Sequence, residues 1–140
     1  MAQQTADTDT RQYGDGDCSF QSAGGETGIK KLVETFYHKM DTLPEAKTIR
    51  DMHPEDLTVS IDKLYRFLVG WLGGPKLFHE KYGPIKLPVA HSKFPIGLKE
   101  KHAWLLCMQK ALEEQHYKED FKEYLMEQLS FPATKIQNRD

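Results

Sequence analysis

The sequence predicts an all-α domain of four main helices with a proline-rich, poorly helical insert. Three observations lead there. Apolar residues recur at three- and four-residue steps in four stretches, the spacing of one helix face. Glycine pairs and prolines punctuate the chain between those stretches. No run alternates as a strand would, and no segment repeats. At 140 residues the chain suits one domain with one core.

Residues 1–21 read as a polar extension rich in Asp, Gln, Thr and Gly, mobile or loosely docked. Tyr13 and Phe20 give it the means to dock in part onto the body. The domain proper is expected over residues 22–132. Gly24-Gly25 breaks the chain, and a first long helix follows from about Glu26 to Met40. Ile29, Leu32, Val33, Phe36, Tyr37 and Met40 share its inner face. Pro44 opens a short helix to about Met52, since proline is tolerated in a first turn, and Pro54 stops it.

The next helix is expected from about Leu57 to Leu72. Ile61, Leu64, Tyr65, Phe67, Leu68, Trp71 and Leu72 cover a wide arc, which suits burial against several partners or a large flat ligand. Gly73-Gly74-Pro75 ends it. Residues 76–96 are the least regular part. Phe78 and Tyr82 suggest one short helical turn, and Gly83-Pro84, Pro88 and Pro95 forbid a long helix. His91 sits here, on a turn or two after Pro88. Helices then follow from about Leu98 to Gln115, with Trp104, Cys107, Met108, Ala111 and Leu112 inward, and from about Lys118 to Leu129, with Phe121, Tyr124, Leu125 and Leu129 inward. Pro132 is expected to close the fold, leaving residues 133–140 as a polar tail.

Composition excludes several classes. The net charge of -2 and the lack of a basic block argue against nucleic acid. No apolar run approaches a membrane span, and no basic amphipathic stripe suits a membrane surface. The start, Met1-Ala2-Gln3-Gln4, lacks the pattern of a signal peptide, which points to the cytoplasm. Cys18 and Cys107 fit a reducing compartment as free thiols and make no zinc motif. The chain has no Gly-rich phosphate loop, no paired histidines at zinc spacing and no Ser or Cys nucleophile signature.

The six histidines divide by their neighbours. His38, His79, His102 and His116 fall on outward or charged positions. His53 and His91 each lie in a short proline-bounded connection, where a histidine can be a structural group or a metal ligand. His91 is followed by Phe94, Pro95 and a new apolar helix. That arrangement could hold a haem iron through one neutral imidazole. Taken alone, Tyr37 and Trp104 read as ordinary core packing.

From about Gly24 to Leu129 the chain resembles the truncated haemoglobins, specifically the bacterial second group or O type. Gly24-Gly25 before a helix bearing Phe36-Tyr37, then His53-Pro54-Glu55-Asp56, then Trp71-Leu72-Gly73-Gly74-Pro75 carry the resemblance. Ala90-His91-Ser92-Lys93-Phe94-Pro95-Ile96-Gly97 and Ala103-Trp104-Leu105-Leu106-Cys107-Met108 complete it. The resemblance implies a 2-over-2 helical sandwich with short C and F helices around haem b (iron protoporphyrin IX).

It further implies His91 as the proximal iron ligand, and Tyr37, His53 and Trp104 as distal groups that stabilise a bound ligand. Leu64, Phe67, Leu68, Phe94 and Trp104 would line the haem, and Lys63 would meet a propionate. Ser60 falls where ordinary globins carry a gating histidine, which implies more open ligand access along that helix. A histidine at position 53 can also titrate near neutral pH, and it or Tyr37 could bind the iron when no ligand is present.

Oxygen on ferrous iron gains negative charge, so donors aimed at it hold it. A hydrogen bond to a charged group is worth ~1.5–3 kcal/mol. Trp104 can only donate, whereas Tyr37 and neutral His53 can donate or accept. Three polar groups around one cavity imply slow oxygen release, which suits redox chemistry better than bulk transport. The expected function is binding of oxygen and other small diatomic ligands, with nitric oxide dioxygenase or peroxidase-like activity dependent on an external reductase. The alternatives are a haem-based gas or redox sensor acting through a partner protein, and a helical interaction module without a cofactor.

Overall fold

The structure is a computed structural model and describes residues 12–84, 91 and 94–138. The turns expected around Pro88, Ala90, Ser92 and Lys93 lie outside the described residues, as do residues 1–11 and 139–140 of the two polar ends. The described chain is all helical, with no strand among its residues. In order it forms α1 (Cys18–Ser22), α2 (Gly25–Thr42), a 3-10 turn (Pro44–Ala46), α3 (Lys47–Asp51), α4 (Thr58–Trp71), α5 (Leu77–Tyr82), α6 (Leu98–Glu113) and α7 (Glu119–Ile136). Helix α2 packs on α4 and on α6, and α6 packs on α7. Two helix pairs, α2 with α4 and α6 with α7, are therefore joined across α2 and α6.

The core follows from the apolar stripes. Helix α2 buries Ile29, Leu32, Val33, Phe36, Tyr37 and Met40, the face that its spacing predicts. Helix α6 buries Ala103, Cys107, Met108, Ala111 and Leu112, and leaves Trp104 half-buried. Both cysteines are buried and free. Local polar groups set the helix starts. The Asp56 carboxylate accepts the Thr58 amide at 2.9 Å and its hydroxyl at 2.7 Å, ahead of α4. The Glu100 carboxylate accepts the Gly97 amide at 2.7 Å and opens α6. Among the described residues no helix is long and apolar enough to cross a membrane.

The ends of the domain differ from the sequence-based expectation. The packed body begins before residue 22, since Cys18 and Ser19 are buried. Tyr13 packs on Phe121 and Tyr124 at ring separations of 5.2 and 5.0 Å, and its hydroxyl donates to Asp120. The Phe20 amide donates to the Leu72 carbonyl. Gly73 makes this approach feasible: its φ is +103°, and a Cβ there would lie 2.1 Å from the Gly16 carbonyl oxygen. At the other end Pro132 does not close the fold. Helix α7 runs through it to Ile136 and buries Ala133. A proline inside a helix removes one backbone hydrogen bond. Here tertiary packing of the following turn outweighs that loss.

Candidate functional site

Tyr37 lies on the inner face of α2 and is buried. His53 follows α3 in the connection to α4 and stands edge-on to Tyr37, with ring centroids 5.7 Å apart and planes at 76°. Trp104, on α6, reaches the same neighbourhood through Phe36, which contacts Trp104 at 5.1 Å and Tyr37 at 5.0 Å. Tyr37 and Trp104 thus meet at Phe36, and His53 joins them through Tyr37. His91 is half-buried and close enough for its charge to act on His53. His38, His79, His102 and His116 are exposed, as their neighbours predict.

Hydrogen positions follow from the partners. His53 Nδ1 lies 2.8 Å from the Ile49 carbonyl oxygen. A carbonyl can only accept, so Nδ1 carries the proton. The neutral ring then presents a lone pair, not an N–H, at Nε2. Burial pushes the His53 imidazole below its ordinary pKa; the Ile49 bond opposes this, and the charges of Arg50 and His91 add to it. Neutral His53 is the form that prevails near pH 7. Arg50 also braces the connection, donating to the carbonyls of Pro54 and Glu55 at 3.0 Å each while it pairs with Asp41.

The Tyr37 hydroxyl donates to the Ser60 carbonyl at 3.4 Å, a long and weak bond. Burial pushes its pKa well above the ordinary tyrosine value, so the phenol keeps its proton. Trp104 differs from both: its indole N–H has no acceptor among the described residues. No buried polar side-chain atom there lacks a partner, so the indole N–H is not sealed in the core. The sequence leaves open whether Tyr37 and His53 donate or accept. The structure distinguishes one free donor, one weakly engaged hydroxyl and one acceptor.

The apolar residues also separate. Only Leu68 and Val69 of α4 are buried, whereas Ile61, Leu64, Tyr65, Phe67 and Trp71 remain half-buried. Helix α4 therefore carries more apolar surface than its described neighbours cover, as a helix beside a flat apolar ligand does. Leu68 is buried in the same core cluster as Tyr37. Phe94 is half-buried. Lys63 is exposed and holds its ammonium 5.4 Å from the Tyr82 ring centroid. Among the described residues no cluster of three or more His, Cys, Asp or Glu side chains forms a metal cage. A macrocycle that needs one protein imidazole and an apolar cradle suits these residues better than a caged ion does.

Two polar anchors went unnoticed in the sequence. Asp62 on α4 accepts from Arg66 at 2.9 Å, from Lys81 at 2.8 Å and from the Tyr82 hydroxyl at 2.6 Å, which ties α5 to α4. The Lys81 and Tyr82 bonds, with Arg66, hold its carboxyl far below the usual carboxylate range. Asn138 binds the segment around His91. The Asp62–Arg66 half is legible as an i,i+4 pair; nothing local signals Asn138.

A family model described as a bacterial-like globin matches residues 18–138. A group 2 truncated hemoglobin of Bacillus subtilis is 35% identical over 115 residues, covering 82% of this chain and 85% of that protein. The group II 2-on-2 hemoglobin of Agrobacterium tumefaciens superposes with a TM-score of 0.84 at 34% identity, over 95% of this chain and 99% of that one. A truncated oxygen-avid haemoglobin from Bacillus subtilis superposes with a TM-score of 0.78 at 32% identity, over 86% of this chain and 98% of that one.

Proposed function

The chain belongs to the bacterial-like globins, as a group II truncated haemoglobin of the 2-on-2 fold, and on that premise we propose that it binds oxygen at a haem held by His91. The observation that carries the proposal is the convergence of Tyr37, His53 and Trp104 beside the incompletely covered apolar surface of α4. Haem b would supply an iron able to take up oxygen and other diatomic ligands reversibly. Leu64, Phe67, Phe94 and Trp104 provide apolar surface for it. Lys63 reaches a propionate only by leaving the Tyr82 ring.

The polar groups act unequally on a ligand that gains negative charge. Trp104 donates its indole N–H without giving up another bond. Tyr37 donates after releasing the Ser60 carbonyl. Neutral His53, protonated on Nδ1, leaves a lone pair on Nε2, which could accept from a protonated ligand or bind the iron when no ligand is present. With haem bound, His53 would reach the ferric iron through that lone pair in part of the population; a ferric spectrum that stays purely high-spin at every pH would count against it. The oxygen-avid relative from Bacillus subtilis supports strong ligand retention as the working regime. Nitric oxide oxidation or peroxide removal at the same site would draw electrons from an external reductase.

The deciding experiment is the absorption spectrum of the ferric, ferrous and carbon monoxide forms of the wild type and of His91→Ala. We expect a histidine-ligated haem spectrum that the substitution abolishes and added imidazole restores. A wild-type protein that stays colourless when offered haem would refute the proposal.

A further inference from the structure

We propose that Asn138 is the positioning residue for the proximal segment, fixing the backbone on both sides of Phe94 and so the pose of the His91 imidazole. The inference rests on His91 being the iron ligand. Its Nδ2 donates to the Phe94 carbonyl at 2.8 Å and to the His91 carbonyl at 3.4 Å. Its Oδ1 accepts the Ile96 amide at 2.9 Å, and its own backbone amide donates to the Ile96 carbonyl at 2.7 Å. One residue thus meets three residues of the segment.

The need for such a residue is physical. Pro95 has no amide proton, and residues 94–97 are not helical, so this stretch does not pair its own backbone as a helix would. Ile96 is buried, so its amide needs a protein partner. Asn138 mimics a peptide group and supplies two donors, Nδ2 and its backbone amide, and one acceptor, Oδ1. Helix α7 delivers it: the turn after Pro132 buries Ala133, the helix runs to Ile136, and Gln137 turns extended. The front of the segment is held separately, where Asp62 clamps Lys81 and Tyr82 at the end of α5. Asn138 touches the His91 carbonyl itself.

Preorganisation is what the clamp contributes. A segment already ordered loses less freedom when haem binds, so haem is held more tightly. Asn138 is exposed, so Asn138→Ala and Asn138→Asp should both fold. In Asn138→Ala, with haem bound, we expect the iron–histidine stretching band in the ferrous resonance Raman spectrum to shift or broaden. Haem transfer to excess apomyoglobin should quicken about tenfold, the scale of one to two lost hydrogen bonds. In the carbon monoxide complex the Ile96 amide should exchange faster in Asn138→Ala than in Asn138→Asp, which keeps an acceptor for it. An Asn138→Ala protein with an unchanged stretching band and unchanged haem loss overturns the proposal, even if it melts earlier. A wild type that takes up no haem overturns it together with the haem reading, and the two failures are distinct.

Discussion

Replacing His53 with phenylalanine isolates the consequence of one hydrogen atom. The Ile49 carbonyl takes the Nδ1 proton at 2.8 Å, which leaves Nε2 as an acceptor in the neutral ring. Phenylalanine keeps a ring for the edge-on contact with Tyr37 and removes the lone pair. Because His53 has no proton to offer an oxygen ligand near pH 7, its loss should not speed oxygen release. Removing a lone pair that repels a negative ligand should slow release slightly. Trp104→Phe sets the scale for a true donor. The indole N–H gives up no other bond, so its hydrogen bond to a charged ligand is worth ~1.5–3 kcal/mol, or about 10- to 100-fold in release rate. Tyr37→Phe should fall between the two, since the hydroxyl surrenders the Ser60 carbonyl, weakly bound at 3.4 Å. Stopped-flow displacement of oxygen by carbon monoxide measures all three. The cost of His53→Phe to folding is the lost Ile49 bond, ~1 kcal/mol, read as a lower melting temperature. A tenfold faster release in His53→Phe would show that Nε2 carries the proton and would refute the reasoning.

Two further outcomes follow from the anchors. Asp62 titrates lower in the folded chain than in the unfolded one, so its contribution to stability is full above its unfolded pKa, about 4, and fades as pH falls below it. Asp62→Asn should lower the melting temperature at pH 7 and flatten its fall in acid; parallel acid limbs for the two proteins would contradict this. Gly73→Ala places a Cβ 2.1 Å from the Gly16 carbonyl at a φ of +103°, so the segment from Tyr13 to Phe20 should detach and become open to limited proteolysis while haem binding persists. An unaltered digestion pattern would mean that the close approach is not needed.

The buried face of α2 was readable residue for residue, because a helix of period 3.6 needs only local spacing to declare its inner side. The wide arc of α4 was equally readable. Its meaning was not, because a sequence does not show that Ile61, Leu64 and Phe67 stay half-covered while Leu68 enters the core. Tyr37, His53, His91 and Trp104 stood out by type and by resemblance. Their separate hydrogen-bonding roles were invisible, since Ile49 and Ser60 act through backbone carbonyls that every residue has.

The four main helices and the glycine breaks between them were determined by the sequence itself, because each depends on neighbours within a few positions. Only the tertiary structure decided where the domain begins and ends. Tyr13 meets α7 across 107 residues, and Asn138 meets His91 across 47. Pro132 stays helical because Ala133 is buried beyond it. Such contacts join distant polar or aromatic groups once the core has brought them together, and no period in the chain encodes them.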